Sequence, residues 1–323
     1  MSISNTILSQ VGVTEILNKK GVTEIAINEP FAIWYEQNGK WLKQENKDLD
    51  FKKLDELAST LTLNFNSKHK LSKSNPIASI RTKNGERGQI CVPPVTKKDF
   101  ISITLRKQSN ERFTLEDYEN SGRLNYKDMS NNEHQHSIED EELSHLKNSK
   151  NIIVFLKKAI QYRKNILIVG STGSGKTTFA NSLIDLISDS RRIITIEDVP
   201  ELKIKQPNHV NLLFSKNGVS ASELIQSSMR MKPDHLVLGE LREPEATFSF
   251  LESVNTGHSG SISTIHANST LDAFNRLSIL IKQSEVGKMI DYDVIQKMCR
   301  NAIDICLFMH KTYLKEIFFN YKK

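Results

Sequence analysis

The stretch Gly170-Ser171-Thr172-Gly173-Ser174-Gly175-Lys176-Thr177 fits the phosphate-loop pattern G-x-x-x-x-G-K-[ST] at every fixed position. A loop of this kind needs a strand before it and a helix after it, and the flanking sequence supplies both. Asn165-Ile166-Leu167-Ile168-Val169 is a short apolar β-rich run, and Thr178 to Ser188 places Phe179, Leu183, Ile184 and Ile187 along one side of a helix. The glycines let backbone N–H groups turn inward around a polyphosphate, while the helix N-terminus adds unpaired donors and partial positive charge. The expected nucleotide-binding residues are therefore Gly170, Ser171, Thr172, Gly173, Ser174, Gly175, Lys176, Thr177 and Thr178. Lys176 is expected to reach the β- and γ-phosphates of ATP, and the Thr177 hydroxyl to complete the coordination of a Mg²⁺ ion.

The sequence around the loop sets the fold class. Arg192-Ile193-Ile194-Thr195-Ile196 reads as a strand ending in Glu197-Asp198, with Glu201 just beyond. His235 to Gly239 ends in Glu240, and Ser261 to Ile265 ends in His266. Strands alternating with helical segments, with polar residues at the strands' carboxyl ends, predict an open parallel α/β sheet with its ligand at that edge. Thr270 to Gln283 and Asp291 to Arg300 read as further helices, and Ala302 to His310 and Leu314 to Tyr321 as closing strands.

Binding a nucleotide is not hydrolysing it; hydrolysis needs a group that positions water and neutralises charge on the γ-phosphoryl. Glu240, after four apolar residues, is the expected base and is expected to hold the metal through water. Glu201 and Glu197, ahead of Asp198, form a second acidic group able to bind metal-bound water or activate the nucleophile. His258 and His266 are both expected near the end of the third strand, and a neutral imidazole there can donate one hydrogen bond and accept another, which suits a γ-phosphate sensor.

The remainder reads as a smaller module and a connection. Gly21 to Asn28, Phe31 to Glu36 and Lys40 to Leu42 predict three strands, the last two joined at Asn38-Gly39. Asp50 to Asn64 is an amphipathic helix, and Pro76 to Arg81, Arg87 to Val92 and Ile101 to Arg106 are further strands. Apolar density falls from Thr114 to Lys150, where Glu139-Asp140-Glu141-Glu142 lies among Asn, Ser and His, so this segment reads as a solvated linker. The expected division is residues 1–113 as an α+β domain, 114–150 as linker and 151–323 as the phosphate-loop domain. At 323 residues the chain has room for two cores. No apolar run approaches the roughly 18 to 20 residues of a membrane span, and no basic leader precedes Glu15, so a cytoplasmic protein without an integral membrane segment is expected. The net charge of +6 is spread along the chain and does not by itself imply a nucleic-acid groove. Cys91, Cys299 and Cys306 have no CxxC spacing and read as reduced core thiols; His134, His136 and His145 read as solvated loop rather than metal ligands.

Four boxes in order carry a family resemblance: the loop Gly170 to Thr178, Ile196 to Glu201, Arg230 through Arg242, and Gly257 to Ala267. Together they resemble the signatures of secretion ATPases. Val22 to Asn28 and Gly85-Glu86-Arg87-Gly88-Gln89 through Pro93-Pro94 further resemble the hexameric traffic ATPase of type IV secretion systems, although Ser171 stands where that family often has glycine. The resemblance implies a RecA-like phosphate-loop domain preceded by a smaller α+β domain, and a homohexamer hydrolysing MgATP to drive export or pilus assembly. It implies a peripheral place at the inner face of a bacterial inner membrane, with inner-membrane components and an exported protein or nucleoprotein as partners. It also implies that Arg87 and Arg106 approach the phosphates from the opposite side of the site. A type II secretion or type IV pilus motor, a RecA-like DNA translocase and a slow nucleotide-gated binding module are the competing readings.

Overall fold

The computed structural model describes residues 3–64, 70–108, 112–125 and 137–321; His134 and His136 lie outside them. The first module is a six-stranded antiparallel sheet: β1 (Val22–Ile27), β2 (Ala32–Gln37), β3 (Lys40–Glu45), β4 (Ile77–Arg81), β5 (Arg87–Cys91) and β6 (Ser102–Arg106). They lie in the order β3-β2-β1-β6-β5-β4. Asn38 and Gly39 both take positive φ between β2 and β3, as a tight hairpin turn requires. Alternation divides this sheet. Ile25, Ile27, Ile103 and Leu105 face a core closed by α1 (Ile3–Gln10), α2 (Val13–Asn18) and α3 (Phe51–Asn64), whereas Glu24, Ala26 and Thr104 fall on the other face.

Within the segment read as solvated linker, the described residues 114–125 and 137–150 are more structured than their composition suggests. Thr114 and Asp117 form a capping box for α4 (Leu115–Asn120), which buries none of its residues. The acidic cluster forms α5 (Ile138–Asn148), capped by Ser137, and Leu143 from it is fully buried beside α6 (Ile152–Gln161). Lys164 meets Asp140 at 2.8 Å, and Lys158 meets Glu142 at 3.1 Å. One buried leucine among charges is too weak a period to announce a docked helix.

The second module is a seven-stranded sheet ordered β13-β12-β7-β11-β10-β8-β9. Its strands are β7 (Ile166–Val169), β8 (Ile193–Glu197), β9 (His209–Leu213), β10 (His235–Leu238), β11 (Ile262–Ile265), β12 (Ile305–His310) and β13 (Tyr313–Phe319). All pairs are parallel except the closing β12–β13 hairpin. Helices α7 (Lys176–Ile184), α8 (Ala221–Ser228), α9 (Pro244–Asn255), α10 (Thr270–Gln283) and α11 (Tyr292–Ala302) connect or cover the strands. Two apolar clusters pack the faces of this sheet, and all three cysteines are buried thiols. No helix among the described residues is long and apolar enough to cross a membrane.

The modules meet through a buried polar joint. Arg192, just before β8 and fully buried, donates to Asn28 (2.9 Å), Asn208 (2.7 Å), Thr104 (3.3 Å) and the Met231 carbonyl (2.9 Å). Its guanidinium lies 5.4 Å from the Trp41 ring centre. Lys232 pairs with Glu36, and Arg230 donates to Ser79 at 2.5 Å.

Candidate functional site

Four adjacent strands, β7, β11, β10 and β8, end side by side, so each can present one group to a single edge. At β7 the chain enters the loop, and Gly170 N–H donates to the Ile265 carbonyl of β11 at 3.3 Å. Leu241 N–H donates to the Thr264 carbonyl (2.8 Å), and the Thr264 hydroxyl donates to the Gly239 carbonyl (2.8 Å), which ties the end of β10 to β11. Gly239 N–H donates to the Ile196 carbonyl at 2.9 Å, joining β10 to β8. Glu240, His266 and Glu197 are thus fixed by backbone bonds at neighbouring strand ends, about 4.8 Å apart per strand.

The loop itself has the backbone geometry that a phosphate cradle needs. Gly173 and Gly175 hold φ of 73° and 84°, values that favour glycine. A Cβ on Gly170 would come within 2.4 Å of the Ser174 hydroxyl and 2.5 Å of the Met309 carbonyl, so the loop closes only around glycine there. Helix α7 starts inside the motif, at Lys176 rather than Thr178, because Gly175 serves as its N-cap. Gly175 gives no side-chain cap, which leaves first-turn N–H groups for a ligand. The Ser174 hydroxyl is buried without a partner, and the Lys176 ammonium folds back onto the carbonyls of Gly170 (2.8 Å) and Ser171 (2.9 Å). Burial holds the Lys176 pKa below its ordinary value, against the favourable charge of Glu240. Spare donors, a buried cation and a half-buried Thr177 at the first turn of α7 suit a nucleoside polyphosphate with its magnesium.

Beyond the loop, a chain of three groups crosses three strands. The Lys176 ammonium stands 3.5 Å from Nδ1 of His266, and Nε2 of His266 stands 3.1 Å from Oε1 of Glu240. An ammonium only donates, so Nδ1 accepts and Nε2–H is left to donate to the carboxylate. His266 thereby orients Glu240, whose side chain is 31% exposed.

Glu197 is held differently. Its Oε1 accepts from the N–H groups of Glu201 (3.0 Å) and Leu202 (2.9 Å), while Oε2 is buried with no partner. Burial raises its pKa, and those backbone bonds work against the rise. Glu201 is exposed and lies on the same turn, its backbone N–H bound to Glu197. Asp198 is engaged with Arg242 at 2.6 Å.

Three expected residues are not brought to this edge. His258 precedes β11 and His266 follows it, and the four residues of that strand rise about 13 Å. The reading of both histidines as neighbours of one strand end is therefore corrected: within the chain only His266 stands by the loop. His258 is half-buried at the opposite end, its pKa lowered by burial and by Arg163. Arg87 and Arg106 are cross-strand partners at the ends of β5 and β6. Arg106 lies 3.9 Å from Glu24, and among the described residues no contact joins either arginine to residues 170–178 of the same chain. The cause is the seating of the first module: Arg192 and Lys232, which hold it, precede β8 and β10, at the amino ends of the strands. Sequence reasoning missed Arg192, because a charged residue at a strand start reads as solvent-facing; it also missed the Asp198–Arg242 pair.

A family model described as "Type II/IV secretion system protein" matches residues 8–318. Among curated proteins, the type IV secretion system protein VirB11 of Bartonella quintana (strain Toulouse) is 39% identical over 309 residues, covering 91% of this chain and 85% of its own length. The protein of the same name from Brucella abortus biovar 1 (strain 9-941) is 35% identical, with 91% and 82% covered. Among solved structures, the VirB11 ATPase from the Brucella suis type IV secretion system, in complex with sulphate, superposes with a TM-score of 0.93 at 32% identity, covering 99% of each chain.

Proposed function

The chain belongs to the type II/IV secretion system protein family, and from that premise we propose that it is an ATP hydrolase, the ring-forming motor of a type IV secretion system. The observation that carries the chemistry is the line Lys176–His266–Glu240 laid across the carboxyl ends of β7, β11 and β10. The backbone of residues 170–178 binds the phosphates, and Lys176 leaves its carbonyl partners for the β- and γ-phosphates. Thr177, and Glu240 through water, would hold Mg²⁺, which when bound neutralises charge on those phosphates. Glu240 orients and deprotonates the attacking water; His266 keeps its carboxylate aimed and reports the γ-phosphate to Lys176. Glu197 and Glu201 extend the acidic wall beside it.

In a homohexamer, Arg87 and Arg106 of one subunit complete the site of the next. That neither contacts the loop of its own chain among the described residues favours this, and planar guanidinium groups suit phosphate oxygens. The motor works at the inner face of a bacterial inner membrane without spanning it. It contacts inner-membrane components of the secretion apparatus and spends hydrolysis on moving a protein or nucleoprotein, or on pilus assembly. Light scattering after size-exclusion, with and without MgATP, tests the reading alongside phosphate release. The expected result is a six-subunit ring with slow hydrolysis, and a Lys176→Ala ring or subunit that is folded but inactive. A monomer whose ATPase is driven by single-stranded DNA, steeply dependent on salt, would favour a translocase instead.

A further inference from the structure

The closing β12–β13 hairpin touches the catalytic edge at three points. Because β12 runs parallel to β7, the hairpin turn lies at the strand ends where the phosphate loop begins. Lys311 and Thr312 both take positive φ there, as a tight two-residue turn requires. The Met309 carbonyl lies against Gly170, and Thr312 lies against Gly175, the N-cap of α7. The third point is Glu316 on β13, whose Oε2 accepts from the Thr270 N–H at 2.8 Å and from the Thr270 hydroxyl at 2.9 Å.

Register explains how a residue on the outermost strand comes to serve this edge. Glu316 pairs with Phe308, Phe308 with Val169, and Val169 with Ile265, so one row crosses four strands and ends directly before Gly170 and His266. The pairing then slips from Phe308–Glu316 to Met309–Leu314, leaving Lys315 as a bulge. Glu316 and Phe318, two residues apart, share the face of β13 that α10 covers. Glu316 meets α10 at Thr270, and Phe318 meets it one turn along at Phe274, edge to face with ring centres 5.0 Å apart. A carboxylate at the first turn also complements the helix dipole. Thr270 is the first residue of α10 and stands four residues after His266, so the segment between them is strung from β11 to the Glu316 anchor. We propose that Glu316 is a positioning residue for ATP hydrolysis: by tying the start of α10 to β13, it holds the segment that aims His266 between Lys176 and Glu240. The proposal rests on the reading of His266 as the residue that orients Glu240. One hairpin then braces both the phosphate loop and the histidine beside it.

The test is phosphate release by the full-length protein carrying Glu316→Ala, Glu316→Gln, His266→Ala, or Glu316→Ala with His266→Ala. Glu316→Ala is expected to lower kcat about five- to tenfold with KM for ATP within about twofold, because the phosphate loop stays intact while the histidine drifts. Glu316→Gln, whose amide oxygen still accepts from Thr270, is expected to stay within about twofold of wild type. In the His266→Ala background, Glu316→Ala should add less than about twofold, since the group it positions is gone. Thr270→Val removes the hydroxyl donor and keeps the backbone N–H, so it should show the same dependence on His266 at about two- to threefold, and it decides the matter if Glu316→Ala does not fold. A wild-type kcat in the folded variants, or losses that multiply with that of His266→Ala, overturns the role of Glu316. Wild-type turnover in His266→Ala overturns instead the reading of His266 on which the proposal stands.

Discussion

Replacing Arg192 with alanine removes the residue that crosses from one module into the other. Its guanidinium makes four hydrogen bonds, three of them to Asn28, Thr104 and Asn208 side chains and one to the Met231 carbonyl. Asn28 and Thr104 belong to the first module, Asn208 and Met231 to the second. A hydrogen bond to a charged group contributes about 1.5–3 kcal/mol, but four on one side chain are not additive, and relief of the buried charge offsets part of the loss. Deleting one member of a buried charged network costs about 3–5 kcal/mol, a large share of the roughly 5–15 kcal/mol that holds a domain. The contact with Trp41 makes the assay selective. The chain has two tryptophans, Trp34 on β2 and Trp41 on β3, so fluorescence follows the first module while far-UV circular dichroism follows both. In guanidinium, Arg192→Ala should bring the fluorescence transition to lower denaturant than the dichroism transition. Coincident transitions with less than about 1 kcal/mol lost would show that the joint is not what couples the modules.

Two further outcomes follow from the same geometry. Glu24, 1% exposed at the joint, has its pKa raised to about 7 by burial, against the charges of Lys232, Arg106 and Arg192. Between the ordinary value of 4.5 and about 7 the unfolded chain gives up a proton that the folded chain keeps, so stability falls as pH rises, by about 3 kcal/mol in all. Glu24→Gln should abolish that slope in denaturant titrations run from pH 5 to 8; a slope that persists would place its origin elsewhere. His266→Ala should slow phosphate release about tenfold or more by freeing Glu240, whereas His258→Ala, at the far end of β11, should leave kcat within about twofold; equal losses in both would contradict their separation.

What was legible in the sequence was local. The phosphate loop, the acids at the ends of β8 and β10, His266 after β11 and the Asn38-Gly39 turn each rest on neighbours within a few residues, where spacing and turn chemistry speak directly. The exact start of α7 was missed by two residues because the helix begins within the motif. Helix α5 was hidden by its charges. Strand β9 was hidden as well, since His209-Val210-Asn211-Leu212-Leu213 interrupts its apolar run with Asn211, whose side chain bonds to Thr195 at 2.8 Å. The joint was out of reach altogether: Arg192 finds Asn28 and Thr104 across 164 and 88 residues, and no periodicity in the chain records such a meeting. The same gap explains Arg87 and Arg106, because strand ends can be read from sequence but the seating of one module on another cannot.

The central claim is that Glu240, aimed by His266 beside the phosphate loop, is the base of an ATP hydrolase, and Glu240→Gln tests it most directly. Gln keeps the shape and removes only the charge and basicity. ATP affinity by fluorescence titration and phosphate release in a single turnover should be measured on the same full-length sample. Affinity should stay within a few-fold of wild type while release slows by about two orders of magnitude. Release at the wild-type rate with unchanged affinity would contradict it and move the base to Glu201 or Glu197.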